Sequence, residues 1–288
     1  MGRGNLGRTL TRALKAAGRR AQLRPARNGI PGLVRSLRSF PGAIVFLAVP
    51  DDALPGVAAR LAKAGSRIPE TVEFVHLSGA LQLNALEPLG ARHSIGSFHP
   101  LQSFPEPRSP AALSGIVVAV DATTTSLRRR LASLARALGA RPKHVGDSER
   151  VLYHAAAVFA SNYVDALLRK AVQLLEATGW SEKEATFGLL ALTEGALAGV
   201  RKRGAIAALT GPVRRGDVKT VERHLAALTE LAGSARWRRK PPLADIYRML
   251  GLIALEIAVE AGVEPAAAER MHRALTPQAA ATRRRRRA

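Results

Sequence analysis

Cysteine is missing from all 288 residues. Disulfides, thiolate zinc sites and cysteine nucleophiles are therefore excluded, and the chain suits a reducing compartment. Aromatic residues make up only 4%, which argues against base stacking as a mode of recognition. No continuous apolar run approaches the ~18 residues that cross a bilayer. "GAIVFLAVP" has strand length, and "MLGLIALEIAVEAG" carries Glu256 and Glu260. The basic start lacks the apolar segment of a secretory signal. Walker A, HExxH and GxSxG patterns are absent as well, which removes the chemistries they carry. A cytoplasmic protein with no membrane partner is expected.

Acidic residues are few: 22 Asp and Glu stand against 44 Lys and Arg, for a net charge of +22. Every charged residue before Asp51 is basic, and the chain ends in Arg283 to Arg287. Such a surface attracts nucleic acid, anionic lipid or phosphorylated ligands. No nucleic-acid motif accompanies the charge, so a solvated basic surface is the plainer reading and no specific nucleic acid is expected. Residues 276–288 read as a disordered Arg-rich tail.

What is present is ordinary globular material: 47% apolar and 23% charged residues, long enough for two domains. The first half alternates strand-like and helix-like pieces. Helices are expected over 4–17, 30–39, 54–64 and 126–138, and strands at 21–24, 43–49, 71–78, 115–121 and near Lys143. The run "AIVFLAV" is continuously apolar, as in a parallel strand covered on both faces. The alternation predicts an open, mostly parallel α/β sheet. Beyond residue 148 only helical patterns remain. One long helix is expected from a Ser148 cap to a stop at Gly179, and a second from a Ser181/Glu184 capping box. A third starts at Asp217, and two more follow. The predicted domains are 1–147, 148–275 and the tail.

"MGRGNLGRTLTRAL" has the spacing Gly2-x-Gly4-x-x-Gly7 ahead of a helix, the pattern of a dinucleotide-binding turn. The first glycine permits the bend, the second lets a pyrophosphate approach the backbone, and the third lets the helix pack on the sheet. Asn5 and Leu6 complete the turn, and the helix start supplies N–H donors to phosphate. In place of an acidic residue for the ribose hydroxyls, the next strand is followed by Arg24 and Arg27, which suits the 2′-phosphate of NADP(H). A turn of this kind follows a strand, and only Met1 precedes it here. The expectation is therefore a short apolar strand upstream of Gly2.

"AIVFLAVPDDAL", "VEFVHLSGAL", "IGSFHPLQSFPEP", "YHAAAVFASNYVDALL" and "ALTGPVRRGD" occur in this order. Together they resemble a bacterial family that joins a Rossmann-like domain to a helical domain of unknown function, number 2520. Its members are described as NADP-dependent oxidoreductases. The wider relatives are pyrroline-5-carboxylate reductase, prephenate dehydrogenase and the 6-phosphogluconate dehydrogenase group. The resemblance implies an α/β Rossmann-like domain, its first strand truncated here, followed by an all-α domain of the 6-phosphogluconate-dehydrogenase type that dimerises. It also places Val49, Pro50 and Ser78 at strand ends beside the cofactor.

The loop "GSFHPLQSF" crowds Ser97, His99, Gln102 and Ser103 between apolar residues. Its His99-Pro100 is similar to a pair in prephenate dehydrogenases, although the following Leu-Gln departs from that pattern and makes prephenate a poor substrate. A histidine can supply the proton that accompanies hydride transfer to a carbonyl or imine. His154, Ser161 and Asn162 fall on one side of a continuous helix, where relatives place catalytic Lys and Asn, though no such lysine is evident. His99, His154 and Asn162 are thus the catalytic candidates. Ser97, Gln102, Ser161 and Thr210 are the candidates for holding a small-molecule substrate. Two other readings stay open: a non-catalytic NADP-binding sensor and a basic binder of nucleic acid or anionic surfaces.

Overall fold

The computed structural model describes residues 1–26, 29–234, 237 and 241–276. By contact the chain divides into two units, Met1–Leu167 and Leu168–Ala288. Arg27 and the predicted tail beyond Thr276 lie outside the described residues.

The first unit opens with α1 (Asn5–Ala16) and α2 (Ile30–Leu37), then alternates β1 (Ile44–Leu47), α3 (Leu54–Ala62), β2 (Glu73–His76), the single turn α4 (Glu87–Gly90) and β3 (Ile95–Pro100). β4 (Val117–Ala122), α5 (Thr125–Ala137), β5 (Arg141–His144) and α6 (Arg150–Ala160) follow. The five strands form one sheet in the order β1-β2-β3-β4-β5. Pairing is parallel except between β3 and β4. Alternate strand residues face opposite helical layers. Val45, Leu47 and Phe74 pack with Leu33, Leu37, Leu54 and Leu61 of α2 and α3. Val75, Phe98, Val118 and Val120 pack with Leu10, Leu127 and Leu131 of α1 and α5. This is a Rossmann-like α/β sheet with helices on both faces, and beyond β5 every regular element among the described residues is a helix.

Three expectations are corrected. Residues 21–24 form no strand. Their backbone link toward the sheet is through Gly2, whose N–H donates to Arg24 O at 2.8 Å, and a single such bond makes no ladder. The loop expected at 96–104 is strand as far as Pro100, since it finds an antiparallel partner in β4. The single helix expected over 148–179 is two, α6 and α7 (Asn162–Glu176). They break at Ser161 (φ −131°), and Glu149 rather than Ser148 stands at the start. Ser161 Oγ donates to Ala157 O at 3.0 Å, a back-bond that bends helices. Taken together, Arg150–Glu176 reach the length and mean hydropathy (1.2) of a membrane span, which the sequence reading did not anticipate.

The second unit holds α8 (Glu182–Ala208), α9 (Val218–Gly233), α10 (Leu243–Glu260) and α11 (Pro265–Leu275). The Ser181/Glu184 capping box and the Asp217 cap form as expected. Val221, Leu225, Leu255, Ala258, Met271 and Leu275 build its core from α9, α10 and α11. The helix α8 is kinked at Gly204 (φ 80°, ψ 165°), and only Ala185 of its 27 residues is buried.

Candidate functional site

Strand register creates the site. Leu47 pairs with His76 and His76 with Ser97, so the carboxyl ends of β1, β2 and β3 come level. Two residues further on stand Val49, Ser78 and His99. Ser78 Oγ donates to Asp51 Oδ2 at 2.7 Å and accepts from the N–H groups of Ala80 and Leu81. It thereby ties the turn after β2 to the turn after β1, where Val49 is half-buried and Pro50 exposed. Gly79 is pressed against the site: a Cβ there would stand 2.8 Å from His99 Nε2 and 2.9 Å from His154 Nδ1.

His99 projects from β3 to meet α6. Its Nδ1 lies 2.8 Å from the Tyr153 hydroxyl, and the two rings meet edge to face. The His154 ring lies 6.3 Å from that of His99, and His154 Nδ1 is buried without a hydrogen-bond partner. Burial, then His154, then Arg150 push the His99 pKa down to about 4. Burial pushes the Tyr153 hydroxyl up to about 12, against a smaller opposing pull from Arg150. Both groups are therefore neutral at pH 7.

Beneath this pair runs a polar row that the sequence reading missed. His76, Ser97 and Asp121 occupy one rung across β2, β3 and β4, and paired residues share a face. Arg150, fully buried at the start of α6, lies over the row. Its Nη2 donates to Ser97 Oγ at 2.6 Å and Val145 O at 3.2 Å. Asp121 and Asp147 stand 3.9 and 3.6 Å from the guanidinium. Asp121 Oδ1 also lies 3.1 Å from His144 Nε2. Burial, Arg150 and His99 hold His76 down to about 3, and neither of its ring nitrogens has a partner at hydrogen-bonding geometry. A signal for the row existed: "FVH" and "VVAVD" each run apolar into one polar residue. Ser97, expected at the substrate, is turned inward and engaged by Arg150.

The glycine turn sits at the other side of β1. Gly2 (φ +111°) has no room for a side chain, since a Cβ would lie 1.9 Å from Ala48 O. At Gly7 a Cβ would lie 2.6 Å from Gly2 O, so α1 packs directly on the turn. Gly4 is different: it is the N-cap of α1 and nothing approaches within 4 Å of its Cβ position. The first turn of α1 carries no side-chain cap and no acidic residue. Open space above Gly4 beside uncapped N–H groups fits a phosphate, so these residues fit a dinucleotide. Leu6 packs into the core. Asn5 Nδ2 donates to Phe104 O and Pro105 O at 3.0 and 2.8 Å. Arg108 N–H donates to Thr9 Oγ1 at 2.9 Å, so α1 holds the loop after β3 at several points. Arg24 is half-buried and donates to Gln22.

The remaining candidates are less convergent. Gln102 is exposed and accepts from Ser103 N–H. Ser161 donates to the Asn162 side chain at 3.2 Å, and the break between α6 and α7 removes the continuous face that was to align both with His154. Thr210 belongs to the second unit.

Residues 116–254 match the family described as Domain of unknown function (DUF2520). That stretch, just under half of the chain, is what resembles the DUF2520 family. No curated protein matches the sequence. Among solved structures the chain is similar to BF3122 from Bacteroides fragilis, an NADP oxidoreductase by its name. The TM-score is 0.67 at 22% identity, covering 88% of this chain and 96% of that one. Protein TM1727 from Thermotoga maritima gives 0.65 at 22% identity, with 90% and 97% covered. Pyrroline carboxylate reductase from Plasmodium falciparum, solved with NADP bound, gives 0.53 at 12% identity, with 96% and 97% covered. At these identities the likeness is one of fold.

Proposed function

We propose that the protein is an NADP-dependent oxidoreductase of the cytoplasm, which moves a hydride between the nicotinamide and a small carbonyl or imine compound. The observation that carries this reading is the neutral His99–Tyr153 pair, level with the strand ends that follow the glycine turn. Ligands of open α/β sheets bind outside those carboxyl ends. Gly4 and the start of α1 would hold the pyrophosphate, Arg24 the 2′-phosphate, and Val49, Pro50 and Ser78 the floor beneath the nicotinamide.

When bound, the cofactor supplies or takes up the hydride; the chain supplies the proton. In the Nδ1–H tautomer of neutral His99 that ring nitrogen would donate to the Tyr153 oxygen, leaving the phenol's own hydrogen for the substrate oxygen or nitrogen. His99 thus orients Tyr153, and proton transfer of this kind contributes roughly 10²–10⁴-fold. Arg150 fixes Ser97 and the start of α6, which sets where Tyr153 stands. The test is titration of the full chain with NADPH, then NADPH oxidation against a panel of small carbonyl and imine compounds. Absence of NADPH binding would sink the reading. Binding without any turnover would leave a sensor.

The protein is further proposed to act as a homodimer through α8. Phe187, Leu192 and Leu197 of that helix are 81%, 70% and 58% exposed, and exposed apolar side chains gathered on one element mark an interaction site.

A further inference from the structure

Gly79, in the turn after β2, is buried. Its φ is not positive, so the backbone conformation does not call for glycine there. What calls for it is space. A Cβ at this position would stand 2.8 Å from both Cε1 and Nε2 of His99 and 2.9 Å from Nδ1 of His154, against the ~3.5–4.0 Å of ordinary carbon contacts. Two imidazoles from different elements, β3 and α6, thus close on one bare stretch of backbone.

The turn is held at both ends. Ser78 Oγ ties its start to Asp51 and to the N–H groups of Ala80 and Leu81. Asp147 ties its end: the carboxylate oxygens accept from Leu83 N–H at 3.0 and 3.2 Å, and the carbonyl accepts from Gln82 Nε2 at 3.2 Å. The same carboxylate lies 3.6 Å from Arg150 Nε, at the start of the helix that carries Tyr153 and His154. Asp147 thereby spaces the turn from α6, with Gly79 in the gap. A methyl at position 79 would touch the His99 ring at two atoms, so that ring must move. Its Nδ1 lies 2.8 Å from the Tyr153 hydroxyl, and movement takes it off.

We propose that Gly79 is a positioning residue: its bare backbone seats the rings of His99 and His154 and so holds His99 Nδ1 at Tyr153. This rests on the reading of His99 and Tyr153 as the proton-transfer pair, yet the seat can be measured without cofactor or turnover.

The test is NMR titration of the His99 ring and the Tyr153 phenol in the full chain. Burial foremost holds them at about 4 and about 12. In Gly79→Ala, His99 should rise above ~5 toward ~6.5 and Tyr153 should fall toward ~10. Ser78→Ala frees the start of the turn but keeps the glycine. It should move both groups the same way by less, and it decides the matter if Gly79→Ala does not fold. Gly56→Ala, where nothing lies within 4 Å of the Cβ position, should move neither. Unchanged titrations in folded Gly79→Ala overturn the proposal, as do unchanged titrations in Ser78→Ala should that variant stand alone. Titration of the same chains with NADPH reports separately on the oxidoreductase reading: shifted histidine and phenol without NADPH binding keep the seat and sink that reading.

Discussion

In the proposed mechanism Tyr153 has a hydrogen to give while His99 Nδ1 carries its own, so the pair would work as a unit. Tyr153→Phe should lower kcat by roughly 10²–10⁴-fold and leave the NADPH Kd and substrate KM nearly unchanged; an unaltered kcat would move the proton source elsewhere. The same burial has a thermodynamic reading. His99 and His76 titrate near 4 and 3 in the folded chain, against ~6.5 unfolded. His99 faces Tyr153, His154, Arg150 and His76, while His76 faces Arg150 and His99. Below pH 6.5 the unfolded chain binds protons that the folded one refuses. Their contribution is therefore fully present above pH 6.5 and is lost as pH falls toward the folded values, at about 1.4 kcal/mol per pH unit for each histidine. Thermal melts should show Tm falling from pH 6.5 to 4, more shallowly in His76→Asn. Arg150 escaped the sequence reading for a physical reason. In a chain with 44 basic residues, nothing local marks the desolvated guanidinium of Arg150.

At the scale of elements, the three glycines of the opening turn divide their work. Gly7→Ala places a methyl against the Gly2 carbonyl and should lower Tm and NADPH affinity together. Gly4→Ala meets open space, so Tm should hold while the NADPH Kd rises ~10-fold or more, measured by fluorescence titration. Loss of Tm in Gly4→Ala would make that position structural. Continuous apolar runs such as "AIVFL" and cap residues such as Ser181 and Asp217 made their elements legible, because those signals are local. The strand status of His99 was not legible. "IGSFHP" has no strand pattern of its own, and its partner lies some twenty residues downstream. The break at Ser161 was equally hidden, since a serine inside an apolar helical pattern is compatible with continuation. The segment at 21–24 was read from its own composition, whereas a strand is defined by its neighbour.

Across the whole molecule, an apolar α8 and a net charge of +22 pull in opposite directions: one draws copies together and the other keeps them apart. If α8 is the dimer surface, Leu192→Asp should shift sedimentation from dimer to monomer. Higher salt, which screens the charge, should strengthen the wild-type dimer; a wild-type chain that sediments as monomer at all salts refutes the dimer. One further consequence follows from the tethers of α1. Asn5 and Thr9 grip the segment around residues 104–108, almost a hundred positions further along the chain, and that segment leads directly out of the strand bearing His99. Any anion that steadies the start of α1 therefore also quiets the loop beyond the proton-transfer pair. Occupancy at one end of the site should therefore stiffen the other, through the two hydrogen bonds that the Asn5 side chain donates.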